Sequence, residues 1–180
     1  MMTHDELASR IAERATLHGE FLLRSGRTSN IYFDKYLFES DPELLLEITR
    51  QMAELLPPNA DALAGLEMGG IPIATMLSQH SGIPTLFIRK DAKEYGTCKL
   101  AEGGEVAARR LVVIEDVVTS GGQILISTAE LRKLGATIDT VLCVVDREAG
   151  GTEALAAEGL QLRALVCRSQ LEAASAKGDA

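Results

Sequence analysis

The sequence lacks the features that mark membrane, secreted or nucleic-acid-binding proteins. No apolar stretch in its 180 residues approaches the roughly 20 residues that cross a bilayer. Lys and Arg number 18 against 26 Asp and Glu, and the net charge of −8 argues against bulk affinity for nucleic acid. Residues 1–6 have neither a basic lead nor an apolar core, so we expect no secretory signal.

Cysteine is also scarce, and its spacing excludes two common uses. Cys98, Cys143 and Cys167 are far apart, and no CxxC pair is present. The sequence therefore predicts neither a zinc site of the usual spacing nor a disulfide framework. Scattered thiols in odd number suit a reducing compartment, so we expect a cytoplasmic protein. From the net charge and the lack of a long apolar stretch, we expect it to bind neither nucleic acid nor membrane.

Most of the chain alternates between strand-like and helical segments. Strands are predicted over residues 62–66, 84–88, 111–115, 138–145 and 160–166, and helices over 70–80, 121–134 and 151–158. This alternation predicts an α/β fold with a parallel central sheet flanked by helices. At this length a single domain, residues 1–180, is expected.

The N-terminal part does not follow that alternation. A helix is predicted over residues 4–18, and strand-like residues 21–23 and 31–33 flank a turn-rich link. We expect these segments, within about residues 1–40, to form a small separate hood. Asp41 followed by proline then predicts the start of a helix that reaches about residue 56.

Two segments resist assignment to the sheet or its helices. Residues 173–180 are small and polar, and we expect them to fray. Residues 90–108 contain three glycines and no clear period. Loops of this length in compact domains are usually functional or disordered.

The most informative motif spans residues 111–123. An apolar run is followed by Glu115 and Asp116, and then by the small-residue loop Thr119-Ser120-Gly121-Gly122. In α/β sheets, ligands bind beyond the carboxyl ends of strands, and a helix N-terminus there favours an anion. The motif predicts a phosphate site beside two carboxylates, as a sugar phosphate requires. A simpler interpretation is that Asp116 only caps the helix.

The motif is neither of the two common nucleotide loops, and a second segment carries unusual charge. No Gly-Lys-Ser/Thr follows the glycines, and no GxGxxG is present. Residues 89–99 hold four basic and two acidic side chains within an acidic protein. A polyanionic leaving group needs such positive charge, and nearby glycines suit a lid. The alternative is an ordinary solvated loop.

At these residues the chain resembles a known family. Residues 114–122 resemble the phosphoribosyl pyrophosphate (PRPP) signature of type I phosphoribosyltransferases: an apolar strand, two acids, two aliphatic residues, then Thr-x-Gly. Four further segments narrow the resemblance to orotate phosphoribosyltransferases, and they lie at residues 23–33, 67–72, 89–96 and 146–148. The resemblance covers nearly the whole chain in the right order.

The resemblance implies a fold, a reaction and an assembly. The fold is the type I phosphoribosyltransferase sheet with a hood and a mobile catalytic loop over about residues 90–108. The reaction transfers the phosphoribosyl group of PRPP to N1 of orotate, giving orotidine 5′-monophosphate and pyrophosphate, in de novo pyrimidine (UMP) biosynthesis. Magnesium is the implied cofactor. The implied assembly is a homodimer in which the catalytic loop reaches the neighbouring subunit's site.

The resemblance also implies roles for single residues. The implied catalytic residues are Lys93, Glu115 and Asp116. The implied PRPP-binding residues are Gly69, Gly70, Arg89, Lys90, Lys93, Tyr95, Glu115, Asp116, Val117, Val118, Thr119, Ser120, Gly121, Gly122 and Gln123. Orotate would contact Arg24, Tyr32, Phe33, Thr119 and Arg147. Glu115 and Asp116 would also hold magnesium, largely through PRPP and water.

Two positions depart from the family pattern. Many members carry lysine where this chain has Arg24, and arginine keeps the charge but changes its reach and geometry. Many carry histidine where this chain has Tyr95, and tyrosine can donate a hydrogen bond but carries no positive charge. These departures bear on rate or affinity rather than on the class of reaction.

Three rival interpretations differ in what they require. A phosphoribosyltransferase for a purine base needs no Arg147 for a carboxylate-bearing pyrimidine. A regulatory protein that only binds PRPP should lack an intact lid, whereas Lys93 is present here. A PRPP synthetase-like enzyme needs an ATP site and a longer, duplicated chain.

Overall fold

The computed structural model describes residues 2–23, 26–91 and 100–178. Its strands are β1 (Thr16–Leu22), β2 (Thr28–Phe33), β3 (Ala62–Leu66), β4 (Thr85–Ile88), β5 (Ala101–Glu102), β6 (Arg110–Val118), β7 (Thr137–Asp146) and β8 (Gln161–Cys167). Its helices are α1 (His4–Ala15), α2 (Tyr36–Glu39), α3 (Pro42–Met52), α4 (Gly70–Ser81), α5 (Gly122–Lys133), α6 (Gly151–Ala157) and α7 (Arg168–Gly178), with a 3-10 turn at Ala53–Leu55.

The central sheet has six strands in the order β5-β4-β3-β6-β7-β8. Five of them run parallel, and the edge strand β5 is antiparallel to β4. The predicted α/β fold with a parallel central sheet flanked by helices is therefore confirmed, with one antiparallel edge. Every residue of β3 is buried because helices cover both faces of the sheet.

Two hydrophobic clusters occupy the two faces of the sheet. On one face, α1, α3, α4 and α7 pack their apolar sides against Leu63, Ile114 and Val144. On the other face, α5 and α6 pack against Ala64, Val113 and further strand residues whose side chains point away from the first cluster. Along most of each strand, successive side chains therefore point into the two clusters in turn. The carboxyl ends of the parallel strands β3, β4, β6 and β7 lie at the same edge of the sheet.

The hood consists of the antiparallel hairpin β1–β2, and most residues on both of its faces are exposed. The predicted helix over residues 4–18 is wrong at its end, because α1 stops at Ala15 and the next residues pair with β2. Thr16 lies opposite Phe33, and His18 lies opposite Ile31. The helix α1 belongs to the core, where Leu7 is fully buried.

Three predicted boundaries need correction. Strand β6 does not end at residue 115, because Val117 and Val118 continue the ladder to β7. The tail is helical rather than frayed through Gly178, since Leu171 of α7 is buried in the core. Residues 92–99 of the predicted loop lie outside the described residues, and residues 101–102 form β5.

Several helix ends follow their local sequence signals. Asp41 caps α3 by accepting hydrogen bonds from the N–H groups of Glu43 and Leu44, both at 3.1 Å. Gly135 follows α5 with φ +93°, the left-handed conformation in which glycine commonly ends helices. Among the described helices, none is long and apolar enough to cross a bilayer.

Candidate active site

The loop between β6 and α5 forms an open hollow at the carboxyl edge of the sheet. The hollow has a volume of about 180 Å³ and is lined by Glu115 and residues 117–124. Gly121 adopts φ +76°, which turns the chain directly into α5. No side chain of the described residues caps this helix start, so its first N–H groups face the hollow. An anionic group is the ligand that such a helix start favours.

The same observation decides against the simpler interpretation of Asp116. The N-cap position of α5 is Gly121, and Asp116 makes no capping hydrogen bond to this helix. Its Oδ1 instead accepts the N–H of Val117, and its side chain is 1% exposed. Glu115 stays close to Asp116, because its Oε1 accepts the Asp116 N–H at 2.9 Å. Glu115 borders the hollow, whereas Asp116 lies one layer deeper.

Asp116 is enclosed by the loop after β3 and by the start of α2. A Cβ atom at Gly69 would overlap Asp116 Oδ2, and one at Gly70 would overlap the carbonyl oxygen of Ile114. Glycine is therefore required at both positions for this backbone to approach β6. From the other side, Lys35 Nζ lies 2.6 Å from Asp116 Oδ2.

Lys35, Glu39 and Glu115 meet around Asp116, and the pKa values of these three groups are displaced. Burial, together with the charge of Asp116, raises the pKa of Glu39 to about 8. The same causes raise the pKa of Glu115 to about 9. Burial alone would lower the pKa of Lys35, but its contact with Asp116 outweighs that effect and raises it. With these pKa values, both glutamic acids hold protons near neutral pH.

The loop after β3 is also joined to the end of β4. The Glu67–Met68 peptide bond is cis. The N–H of Lys90 donates to Glu67 Oε2 at 2.9 Å, so Lys90 follows β4 directly beside this loop. Arg89 lies 3.6 Å from Glu102 across the β4–β5 edge. The basic residues Arg89 and Lys90 thus stand next to Gly69 and Gly70 at the same edge.

A guanidinium group lies at the end of the neighbouring strand. Arg147 follows β7, is half-buried, and holds its Cζ 5.3 Å from the centre of the Phe33 ring. Burial and the nearby charge of Arg168 lower the pKa of Arg147. The N–H of Arg147 donates to the carbonyl of Val118 at 2.8 Å. A cation on an aromatic face, partly removed from water, suits a planar carboxylate ligand.

The residues around Arg147 hold its turn in place. Asp146 accepts hydrogen bonds from the N–H of Glu148 at 2.9 Å and from Thr152 Oγ1 at 3.0 Å. Glu148 in turn accepts the N–H of Ser169 at 2.8 Å, which fixes the start of α7. The flanking acids of the Asp-Arg-Glu element are therefore structural, and Arg147 alone is directed toward the hood.

The two predicted aromatic residues of the base pocket lie on opposite faces of β2. Phe33 packs on Phe38, with ring centres 6.2 Å apart, and faces Arg147. Tyr32 points to the other face and contacts Phe21, with ring centres 5.5 Å apart. The structure thus brings Phe33, but not Tyr32, to the same side as Arg147.

Comparisons with known proteins agree on one family. A family model for the phosphoribosyl transferase domain matches residues 38–157. Orotate phosphoribosyltransferase of Nocardioides sp. is 52% identical over 172 residues, 96% of each chain. That of Methanocella arvoryzae is 45% identical and covers 87% of this chain and 90% of its own. The chain belongs to the orotate phosphoribosyltransferase family.

Solved structures of the orotate phosphoribosyltransferase family share the fold. The Mycobacterium tuberculosis orotate phosphoribosyltransferase in complex with Fe(III) dicitrate has a TM-score of 0.85 and 33% identity, covering 93% of this chain and 98% of its own. The same enzyme in complex with PRPP has a TM-score of 0.81 and 30% identity, covering 94% and 98%.

Sequence reasoning on the orotate phosphoribosyltransferase pattern missed two residues and named three that lie outside the described part of the chain. Those three are Arg24, Lys93 and Tyr95, and their roles stay predictions. Lys35 and Glu39 were missed, although both contact the region of Asp116. Their one sequence signal is that two ionisable residues lie four positions apart, shortly after Tyr32 and Phe33, which were predicted to contact orotate.

Glu115 and Asp116 fit magnesium only if PRPP supplies further ligands to the same ion. Their hard oxygen atoms suit magnesium, which binds few carboxylates together with phosphate oxygens. In the part of the chain that the structure describes, no three His, Cys, Asp or Glu side chains form a metal cluster. Asp116 is moreover already paired with Lys35. Magnesium at this site would therefore need further oxygen ligands from a bound substrate.

Proposed function

We propose that this protein is an orotate phosphoribosyltransferase. It transfers the phosphoribosyl group of PRPP to N1 of orotate and releases pyrophosphate, which forms orotidine 5′-monophosphate for pyrimidine biosynthesis. The family membership, with 52% identity to a relative of that name over nearly the whole chain, supports the assignment.

One observation carries the proposal beyond the family name. The phosphate hollow and the candidate orotate residue are joined by a single hydrogen bond, from the Arg147 N–H to the Val118 carbonyl at 2.8 Å. Val118 ends β6 and lines the hollow. An anionic phosphate at the start of α5 and a planar carboxylate at Arg147 therefore lie within the reach of one nucleotide.

In the reaction, the bond from N1 of orotate to the anomeric carbon forms and the bond from that carbon to pyrophosphate breaks. The electron pair leaves with pyrophosphate, and the N1 proton is released. The sugar gains oxocarbenium character, as in glycosyl transfer generally. The protein's contribution is positioning and charge stabilisation, so no covalent intermediate on the protein is needed.

Each subsite has residues suited to its part of PRPP. Residues 119–123 receive the 5′-phosphate at the start of α5. Glu115, which borders the hollow and is protonated near neutral pH, can donate or accept a hydrogen bond to a ribose hydroxyl. Asp116 reaches the sugar when the covering Lys35 side chain, 34% exposed, gives way. Arg89 and Lys90, beside Gly69, face the departing pyrophosphate.

The finer parts of the proposal rest on the family resemblance and, for the compartment, on the scattered cysteines. Magnesium, held by Glu115 and Asp116 largely through PRPP and water, would neutralise charge on the pyrophosphate. The protein forms a homodimer in which the loop containing Lys93 completes the partner's site, and it acts in the cytoplasm. Lys93 and Tyr95 would contact the pyrophosphate, and Arg24 would contact orotate from the hood.

The test is the loss of orotate absorbance when protein, PRPP and magnesium are mixed. Parallel reactions hold uracil, adenine or hypoxanthine instead of orotate. We expect turnover with orotate alone, dependent on both PRPP and magnesium. Turnover only with a purine would contradict the roles given to Arg147 and Phe33, and PRPP binding without turnover of any base would favour a regulatory protein.

A further inference from the structure

Lys35 stands in a fixed place at the base of the hood. Asp34, its neighbour, donates its N–H to the Ala15 carbonyl at 2.8 Å and accepts the Tyr36 N–H at 3.1 Å. Three residues after Lys35, Phe38 is fully buried in the core. The backbone of Lys35 is therefore held from both sides, and its side chain reaches the sheet edge from a rigid base.

The ammonium group of Lys35 lies between a buried carboxylate and the open cleft. Its Nζ is 2.6 Å from Asp116 Oδ2 and 5.2 Å from the centre of the Tyr36 ring. Asp116 is 1% exposed and Lys35 34% exposed, so the lysine covers the acid on its solvent side. Among the described residues, no other cation forms an ion pair with Asp116.

Asp116 has little freedom to find another partner. The backbone of Gly69 closes one side of it so tightly that a Cβ atom at this glycine would overlap Asp116 Oδ2. Glu39 closes another side, because its Oε1 lies 2.9 Å from the same Cβ position. A buried carboxylate that loses its cation, beside a second carboxyl group, either turns away or becomes neutral. In either case it stops presenting a charged acceptor toward the sugar site.

We propose that Lys35 is a positioning residue for PRPP binding: it keeps the buried carboxylate of Asp116 paired and directed at the cleft until the ribose arrives. The inference rests on the proposed function, since it needs Asp116 to contact the sugar of PRPP. Neither the PRPP signature nor the hood motif includes Lys35. Its role arises only because α2 packs against the end of β6.

The experiment compares Lys35→Met, which keeps length without charge, with Lys35→Arg, which keeps a cation. Lys133→Met is the matched control, because Lys133 is 71% exposed and pairs with Glu130 on the far end of α5. PRPP affinity is measured by calorimetry, and steady-state kinetics give KM separately for PRPP and orotate. Melting temperatures report on the fold.

We expect Lys35→Met to weaken PRPP binding about tenfold or more, the size expected for a lost charge-assisted contact. The KM for orotate should stay within about twofold, because Arg147 is untouched. Lys35→Arg should recover most of the affinity, and Lys133→Met should match the unaltered protein. Equal PRPP affinity in Lys35→Met and the unaltered protein would overturn the inference.

A double variant tests whether Lys35 acts through Asp116. Asp116→Asn removes the buried carboxylate that pairs with Lys35, so Lys35→Met with Asp116→Asn should fold even where the single variant is unstable. If Lys35 acts by orienting Asp116, Lys35→Met causes no further loss of PRPP affinity in the Asp116→Asn background. A further loss of about tenfold in that background would contradict the inference, because Lys35 would then act independently of Asp116. Failure of the proposed function is seen separately, as absence of orotate turnover in the unaltered protein.

Discussion

Two groups of acidic side chains in this molecule have opposite chemistry. On α3, Glu47 accepts hydrogen bonds from Arg50, Gln51 and the N–H of Met2, and the Arg50 contact leads the causes that lower its pKa to about 2. At the sheet edge, Glu39 and Glu115 crowd Asp116, and their pKa values rise to about 8 and about 9.

The difference in pKa indicates a stabilising role for the group on α3 and a ligand-binding role for the group at the sheet edge. The α3 group satisfies its carboxylate with partners from the protein and so stabilises the folded state. The sheet-edge group leaves Glu39 Oε1 buried with no hydrogen bond from the described residues. Such an arrangement opposes stability and is expected where a ligand supplies the missing partners. Changes at the sheet edge should therefore affect PRPP use, and changes on α3 should affect stability.

The largest effect is expected from Gly69→Ala. The added Cβ atom would overlap Asp116 Oδ2, so either the loop or the carboxylate must shift. A shift of about 1 Å at a reacting site can cost about a hundredfold, which is the fall we expect in kcat/KM for PRPP. The control is Gly82→Asn, at φ +71° in open space, where asparagine is tolerated. Unimpaired kinetics of Gly69→Ala would show that the close approach has no role in catalysis.

Arg147→Ala should affect orotate without disturbing either acidic group. Loss of its charged hydrogen bonds to a carboxylate should raise the KM for orotate about tenfold to a hundredfold. PRPP affinity should change little, because Arg147 packs on Phe33 rather than on Asp116. Calorimetry with each substrate measures both effects, with Arg10→Ala on the exposed side of α1 as control. Unchanged orotate affinity would refute the role of Arg147.

Glu47→Gln should lower stability and leave kinetics unchanged. The folded-state pKa lies below the unfolded value, so this glutamate stabilises the protein above about pH 4.5 and loses that effect as pH falls toward about 2. We expect the variant to lose about 1 kcal/mol of unfolding free energy at pH 7. Urea unfolding at pH 7 and pH 3 should show this difference shrinking in acid. A constant difference would contradict the ionic explanation.

Glu39→Gln should give the smallest effect, with the opposite pH dependence. The folded-state pKa of Glu39 lies above its unfolded value, so its stabilising effect is complete below about pH 4.5 and is lost as pH rises through about 8. Asp116, Lys35 and Asp34 are the charged groups around it. The variant should gain stability relative to the unaltered protein as pH rises from 5 to 8, measured by urea unfolding. The opposite trend would contradict the raised pKa.

The fold was largely predictable because its strongest signals are local. The apolar strands and Gly135 define the alternation of β7 and β8 with their helices without any tertiary information. Strand β5 has two residues and exists only through pairing with β4. The tail formed α7 because Leu171 finds a place in the core, which its small neighbours do not reveal.

The site was predictable where a motif carries it and not where packing creates it. The loop after β6 was found from its acids, hydroxyls and glycines, and Arg147 from the resemblance of residues 146–148 to the family pattern. Lys35 and Glu39 belong to no motif, because only the packing of α2 against β6 brings them to Asp116. The end of β6 was also predicted wrongly, since its last residues are held by pairing with β7.

The most direct test of the role of the crowded acids compares two variants, Asp116→Asn and Glu47→Gln, by their kcat/KM for PRPP. Both changes replace a carboxylate by an amide of nearly the same shape. We expect about a hundredfold loss for Asp116→Asn, as for a lost charge that stabilises the transition state. Glu47→Gln should keep the unaltered value. Equal values for the two variants would contradict the conclusion that the crowded acids at the sheet edge serve PRPP.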